Sequence, residues 1–209
     1  MAGKSALEIR SIPKIWPDST IVIIGGGPSI KKIDTDLLWK YRTIGVNHAI
    51  SLGPVDMLWF GDFNFYKANE LKINAFAGLK CTCACEVPEL DWPAIKRVRR
   101  SPKKIWGIES ERADAIAWNN NSGGSAINVA YHLGAKRIAL VGFDMRRISS
   151  ATHFHDFYGK RSKERDPYPR HMKCFDSITA DAKTLGLEIV NCTPGSAIKQ
   201  FPFVKLESL

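Results

Sequence analysis

Small and polar residues follow an apolar segment near the start of the chain, in residues 21–30, IVIIGGGPSI. Four β-branched residues precede three glycines, a proline and a serine: Gly25, Gly26, Gly27, Pro28 and Ser29. Glycine lets the backbone approach a ligand because it has no Cβ, and N–H groups at a helix start bind anions. The segment predicts a strand that ends at a phosphate-binding turn.

Small and polar residues also stand at the ends of other predicted strands and at the start of a predicted helix. Asn47 and His48 follow the second apolar segment, and Gly61 with Asp62 follow the third. A later helix opens with Asn121, Ser122, Gly123 and Gly124, and the strand after it runs into Asp144, Met145 and Arg146. Ligands of parallel α/β sheets bind beyond the carboxyl ends of the strands. The spacing therefore predicts a single ligand site built from these ends.

The elements that must position these residues alternate along the chain. Strands are predicted at 20–24, 43–50, 55–62, 79–87, 104–110, 137–145 and 187–193. Helices are predicted at 122–135 and 171–186, with a short helix from Pro28 and a turn capped by Asp34. Such alternation is typical of an α/β fold with one doubly wound, mostly parallel, Rossmann-like sheet and helices on both faces.

Length and composition limit the class of protein. The 209 residues are 44% hydrophobic and 24% charged, which fits one nucleotide-binding α/β domain over residues 1–209. No apolar segment has the length of a membrane span, and the N-terminal residues lack the apolar core of a signal peptide. These features predict a cytoplasmic protein.

Positive charge is concentrated in two places. The formal net charge is +9, with clusters at residues 96–104 and 146–173. Such surfaces attract phosphate-bearing partners, so both a nucleotide and a nucleic acid fit the charge.

Three of the five cysteines form the sequence CTCAC, as Cys81, Cys83 and Cys85. Alternate residues of a strand share a face, so these thiols are predicted to be buried and reduced together. Zinc sites use wider spacing.

Two common phosphate-binding motifs do not fit. Ile30 stands where the dinucleotide fingerprint has its third glycine, and the second strand ends in Asn47 rather than an acidic residue. No glycine-lysine-serine sequence of a P-loop follows the glycines. A nicotinamide oxidoreductase and a P-loop kinase are therefore disfavoured.

The chain resembles the bacterial CMP-sialic-acid-dependent sialyltransferases. It is also similar to their relatives of the archaeal 6-hydroxymethylpterin pyrophosphokinase type and to small phage proteins. The matching segments keep their order over most of the chain: VIIGGGPSIKKID, Asn47, NSGGSAINVAYHLGAKRIALVGFDM, and HMKCFDSITADAKTLGLEIVNCTPGSAIKQFP.

The resemblance implies roles for individual residues. The Gly-Pro-Ser turn, Asn47, Ser122 and Gly123 would hold the nucleotide, and His171 falls on the general base of the family. Relatives of this type tend to assemble, which implies a homo-oligomer. The sialyltransferases steady the leaving phosphate with tyrosines after the Gly-x-Asp strand, where this chain has Arg146, and Tyr158 and Tyr168 further on.

These roles combine into a mechanism in which a sugar moves from a CMP-linked donor to an acceptor hydroxyl without an obligatory metal. His171 takes the hydroxyl proton, because histidine titrates near neutral pH, and Arg146 meets the charge of the leaving phosphate. The polar, basic segment 146–171, with His153 and His155, is predicted to be a mobile lid.

Two alternatives remain open. A pyrophosphokinase would transfer diphosphate from ATP and need Mg²⁺, for which Asp62 and Asp144 are candidate ligands. Asp62 stands next to the position where the sialyltransferases carry asparagine. A non-catalytic nucleotide-binding or nucleic-acid-binding module would instead use the positive charge alone.

Overall fold

The computed structural model describes residues 8–88, 95–149, 151–157 and 166–209. Its central sheet has seven strands, and every strand pair in it is parallel. In spatial order the strands are β5 (Ile95–Arg97), β4 (Leu79–Thr82), β3 (Met57–Phe60), β2 (Arg42–Val46), β1 (Ser19–Ile24), β8 (Ala135–Val141) and β9 (Glu188–Asn191). The predicted doubly wound α/β fold is confirmed.

Four α-helices lie among the described residues. They are α1 (Phe63–Ala75), α2 (Ser122–Leu133), α3 (Tyr168–Met172) and α4 (Cys174–Leu185). Short 3₁₀ helices span Pro28–Lys32, Thr35–Lys40, Asn47–Ser51 and Leu206–Ser208. Pro28 begins a 3₁₀ turn rather than an α-helix, and Asp34 caps the next one as predicted, with its side chain accepting from the Asp36 N–H.

The sheet is buried on both faces, which is why its strands are almost continuously apolar. Ile21, Ile23 and Trp59 point to the face covered by α2 and α4. Val22 and Ile24 point to the opposite face and pack against the 3₁₀ turns. On that same side Leu58, Phe60 and side chains of α1 form a further apolar cluster.

Several predicted boundaries were wrong. The second strand ends at Val46, and Asn47 begins a 3₁₀ turn with a φ of 53°. The strand predicted at 79–87 ends at Thr82, so Cys81 and Cys83 are buried as expected but Cys85 is exposed. The side-chain alternation that would bury all three thiols requires extended backbone, and the chain leaves the strand before Cys85.

The prediction of a strand at 104–110 was also wrong, because the structure has irregular backbone there. The region instead contributes β5 and a separate two-stranded sheet of β6 (Arg99–Arg100) and β7 (Ala115–Ile116). Strands of two or three residues carry too little alternation to be recognised from sequence. Within the described residues, no helix combines the length and apolarity needed to span a membrane.

Candidate active site

A cavity of about 710 Å³ opens at the carboxyl edge of the sheet. The chain places β2 to β5 on one side of β1 and then crosses to β8 on the other, so the strand order reverses at β1 and β8. Crevices at such a reversal are the usual ligand sites of doubly wound sheets. The lining residues are Gly25, Gly26, Gly27, Val46, Asn47, His48, Asp62, Trp118, Asn120, Asn121, Ser122, Gly123, Gly142, Phe143, Asp144, Met145, Thr152, His153, His155, Asp166, Pro167, Tyr168, Arg170 and His171.

The glycine triplet contributes to the cavity, but for a different reason from the one predicted. A Cβ at Gly25 would lie 2.7 Å from the Gly142 carbonyl oxygen and 3.0 Å from the Phe143 ring, and one at Gly27 would overlap the Asp144 carboxylate. The N–H groups of Gly25 and Gly27 donate to the carbonyls of Val141 and Gly142. These two glycines therefore allow close packing of β1 against the end of β8, and their N–H groups are already engaged.

Gly26 is the member of the triplet that faces the lid segment. Its carbonyl accepts from the Phe154 N–H at 3.0 Å, and a Cβ added there would lie 3.2 Å from the His153 ring. The triplet thus joins the sheet edge directly to His153 and Phe154 of the segment predicted to be a lid.

Asp144 fixes the turn after β1. Its carboxylate is buried and accepts from the Ser29 hydroxyl at 2.9 Å and the Ser29 N–H at 3.3 Å, while its carbonyl accepts from the Ala197 N–H. Burial raises the pKa of Asp144, and the hydrogen bonds from Ser29 oppose that rise. Ser29 and Pro28 lie behind the cavity wall rather than in it.

Two asparagines present polar atoms at the site. Among the described residues, the buried Oδ1 of Asn47 has no hydrogen-bond partner, and an unsatisfied buried acceptor is costly without a ligand. Asn121 caps α2 by accepting from the Gly123 N–H at 2.9 Å, and its amide donates to the His171 carbonyl at 3.3 Å. The start of α2 and the predicted base are therefore joined directly.

Contacts with β3, Phe143 and α4 position the start of α2. The indole of Trp59 in β3 donates to the Ser122 carbonyl at 3.0 Å. A Cβ at Gly123 would come within 2.7 Å of the Phe143 ring, and one at Gly124 within 2.9 Å of the Cys174 sulfur. Gly123 lines the cavity, whereas Gly124 packs into the core between helices α2 and α4.

His171 lies in α3 and lines the cavity, as its predicted role requires. Burial, reinforced by the nearby Arg170 and His153, lowers the pKa of His171 to about 4. The Arg170 guanidinium lies 3.2 Å from its Nε2. At neutral pH the imidazole is therefore neutral. A guanidinium can only donate, so Nε2 accepts from Arg170 in this conformation, and that contact must be released before Nε2 can take a proton.

The described part of the segment predicted to be a lid brings two more histidines and a tyrosine to the cavity. His155 packs edge-on against His48, with ring centroids 4.3 Å apart, and burial lowers the pKa of His153 to about 4 and that of His155 to about 3. The Tyr168 hydroxyl donates to the Thr152 carbonyl at 2.8 Å, so it holds two parts of the lid together.

The remaining predicted residues lie elsewhere. Arg146 is exposed outside the cavity lining, and its Nε donates to the Gly195 carbonyl at 2.7 Å. Asp62 lines the cavity and caps α1 by accepting from the Asn64 N–H at 2.7 Å. Tyr158 lies outside the described residues. Over the described ranges, no group of three or more His, Cys, Asp or Glu residues could hold a metal ion. Asp62 and Asp144, the candidate Mg²⁺ ligands of the pyrophosphokinase alternative, both line the cavity.

The sequence did not identify Trp118, Asn120, Phe143 or Arg170 as site residues. Trp118 stands directly before the run Asn119, Asn120, Asn121, Ser122 that opens α2, and that position was the available signal.

Four cations of the basic segment 96–104 contact other groups of the protein. Arg97 donates to the Cys85 carbonyl and Arg100 to the Gly61 carbonyl, while Arg99 pairs with Asp114 and Lys104 with Asp181.

Comparison with known proteins supports the fold. No protein-family model and no curated protein sequence matches the chain. Among solved structures, the chain is similar to the sialyltransferase CstII from Campylobacter jejuni in complex with the substrate analogue cytidine-5'-monophosphate, with a TM-score of 0.56 and 16% identity over 90% of this chain and 85% of that one. The complex of CstII with CMP-3FNeuAc gives a TM-score of 0.56 and 15% identity over 91% and 88%.

Proposed function

We propose that the protein is a sialyltransferase-like glycosyltransferase, which moves a sugar from a CMP-linked donor to an acceptor hydroxyl. The observation that carries this proposal is the placement of His171 beside the α2 start and the glycine turns in one cavity at the strand reversal. The similar fold of CstII, solved with CMP and CMP-3FNeuAc, supports a cytidine nucleotide as the ligand.

The reaction forms one bond and breaks another. The acceptor oxygen attacks the anomeric carbon, the bond from that carbon to the phosphate oxygen breaks, and CMP leaves with the electron pair. His171 takes the acceptor proton, because its low pKa keeps the imidazole in the neutral form that can accept one. The positive end of α2 and the guanidinium of Arg170 lie on the cavity wall, where they favour the charge that develops on the phosphate.

Ligand binding tests the proposed donor. We expect CMP to raise the melting temperature in EDTA as well as in Mg²⁺, and UDP and ATP to raise it less. A shift with ATP that requires Mg²⁺ would instead indicate the pyrophosphokinase. No shift with any nucleotide, combined with salt-sensitive retention on DNA, would indicate a binding module.

Substitution of His171 tests the base. We expect His171→Ala to lower the rate of CMP release from a CMP-sugar by roughly 10²–10⁴-fold while CMP affinity stays near that of the wild type. The wild-type kcat/KM should decline as pH falls towards about 4, because protonation of His171 removes its lone pair. Lys173→Ala, at an exposed position on the same helical segment, is the control. A fully active His171→Ala variant would contradict the assignment.

A further inference from the structure

One wall of the cavity is formed by the indole of Trp118, for which the proposed reaction has no role yet. Trp118 is half-buried and lines the cavity. The Arg100 guanidinium carbon lies 3.9 Å from its ring centroid and covers one face of the ring, in the geometry of a cation–π contact. Because Trp118 also belongs to the cavity lining, a ligand in the cavity can contact it.

The indole is held in one position by its neighbours. Arg100 is itself fixed, since its Nη2 donates to the Gly61 carbonyl at 2.9 Å. A Cβ at Gly61 would overlap the ring of Trp118, so glycine is required for this packing. The next residue, Asn119, accepts from the Gly107 N–H at 2.8 Å and donates back to the Gly107 carbonyl at 3.0 Å. An aromatic wall fixed in this way needs little reordering when a ligand binds.

The groups beside Trp118 suit a sugar ring better than a phosphate. Asp62 follows Gly61 directly, and Asn120 lies two residues after Trp118; both line the cavity. A carboxylate repels phosphate but accepts hydrogen bonds from hydroxyl groups, and an amide both donates and accepts. A flat apolar surface flanked by such groups matches a pyranose, which has an apolar face and a rim of hydroxyls.

The position of Trp118 relative to His171 indicates that the sugar beside the indole is the one transferred from the donor and not the acceptor. Asn121 follows Trp118 by three residues, and its amide contacts the His171 carbonyl at 3.3 Å. In the proposed reaction, His171 takes the proton of the oxygen that attacks the anomeric carbon. The ring that carries this carbon is therefore expected beside the α2 start, in the cavity that His171 and Trp118 both line.

We infer that Trp118 is the platform for the transferred sugar of the donor, and that Arg100 is a positioning residue that acts through the indole. This inference rests on the proposed function. It adds a determinant of sugar specificity in a part of the cavity separate from the glycine turns at β1 and β8.

Calorimetry with CMP and with the inert analogue CMP-3FNeuAc tests the inference. We expect wild-type protein to bind the analogue more tightly than CMP. Trp118→Ala should weaken analogue binding about tenfold and leave CMP affinity within about twofold. Trp118→Phe should retain part of the difference because it keeps a flat ring, and Arg100→Met should lose part of it while CMP affinity is unchanged.

The matched control is Trp39→Ala, because Trp39 is 73% exposed and lies outside the cavity lining. Equal weakening of CMP and analogue by Trp118→Ala would place the nucleobase on the indole and overturn the inference. An unchanged analogue affinity, or a wild type that binds the analogue no better than CMP, would also overturn it. If the wild type bound neither compound, the proposed function itself would fail, and this inference with it.

Discussion

At the scale of single residues, the glycine triplet shows that one motif can serve two purposes. Gly27 has a φ of −72°, so it does not require the left-handed region. It is glycine because the Asp144 carboxylate and the Gly142 carbonyl occupy the space of a Cβ, whereas the space beside Gly26 is bounded by the His153 ring at 3.2 Å. The motif is thus partly a packing requirement and partly a feature of the cavity.

This difference predicts unequal effects of two neighbouring substitutions on stability. Gly27→Ala should lower the free energy of unfolding by about 2 kcal/mol or more, because the new methyl group overlaps fixed polar atoms. Gly26→Ala should cost less than about 1 kcal/mol, because a side-chain ring can shift, but it should impair CMP binding. Urea denaturation of both variants measures the difference. Equal destabilisation would show that the lid residues are as rigid as the sheet edge.

At the scale of elements, residues 151–157 are attached to the sheet edge and to α3 by a few specific contacts. The Gly26 carbonyl accepts from the Phe154 N–H at 3.0 Å, and the Tyr168 hydroxyl reaches the Thr152 carbonyl at 2.8 Å. The Tyr168 hydroxyl thus connects α3 to residues 151–157 through one hydrogen bond. Tyr168 belongs to the helix that carries His171, so the position of His171 is tied to that of residues 151–157.

Removal of the Tyr168 hydroxyl should make local opening of residues 151–157 easier. Tyr168→Phe removes one hydrogen bond, worth about 1 kcal/mol, so amide exchange in residues 151–157 should become about fivefold faster. The melting temperature should change little, because the sheet core is untouched. Tyr131→Phe, a change in α2, is the control. Unchanged exchange in 151–157 would show that the Phe154 contact alone holds the segment.

At the scale of the whole molecule, four histidines lie at one end of the sheet with lowered pKa values. Burial is the largest cause at each of His48, His153, His155 and His171. The folded protein therefore holds neutral imidazoles, whereas the unfolded chain titrates near 6.5. Between these values the unfolded chain binds more protons, so stability must fall as pH falls.

The melting temperature should decrease by about 5 °C or more between pH 7 and pH 5. The loss begins as pH falls below about 6.5 and levels off near the lowest folded pKa, about 3 for His155. The double substitution His153→Gln and His155→Gln should flatten this dependence. A melting temperature that stays constant from pH 7 to pH 5 would contradict the burial of these rings. Added CMP should reduce the loss, because a phosphate favours protonated imidazole.

The sequence alone predicted the parallel sheet, most of its strands and the sheet edge at which the cavity opens. Long apolar strands and Gly134 and Gly186 at the ends of α2 and α4 are local signals, and such signals are readable because they depend on backbone geometry. Helix α1 was missed, although its cap Asp62 had been noticed as a candidate ligand. Its Asn69 has non-helical φ and ψ, and its apolar residues lack a regular helical period.

Tertiary structure alone decided which side chains meet. Nothing in the sequence places Phe143 between Gly25 and Gly123, Arg100 over Trp118, or His155 against His48, because these pairs are separated by tens of residues or by a crossover. The partner of Arg146 was likewise not readable from the sequence. Arg146 follows Asp144 by two residues, but in the folded chain its side chain donates to the Gly195 carbonyl. Sequence periodicity predicts where a strand ends and which face each of its side chains is on. Only the packing of the sheet edge decides which other side chains lie next to them.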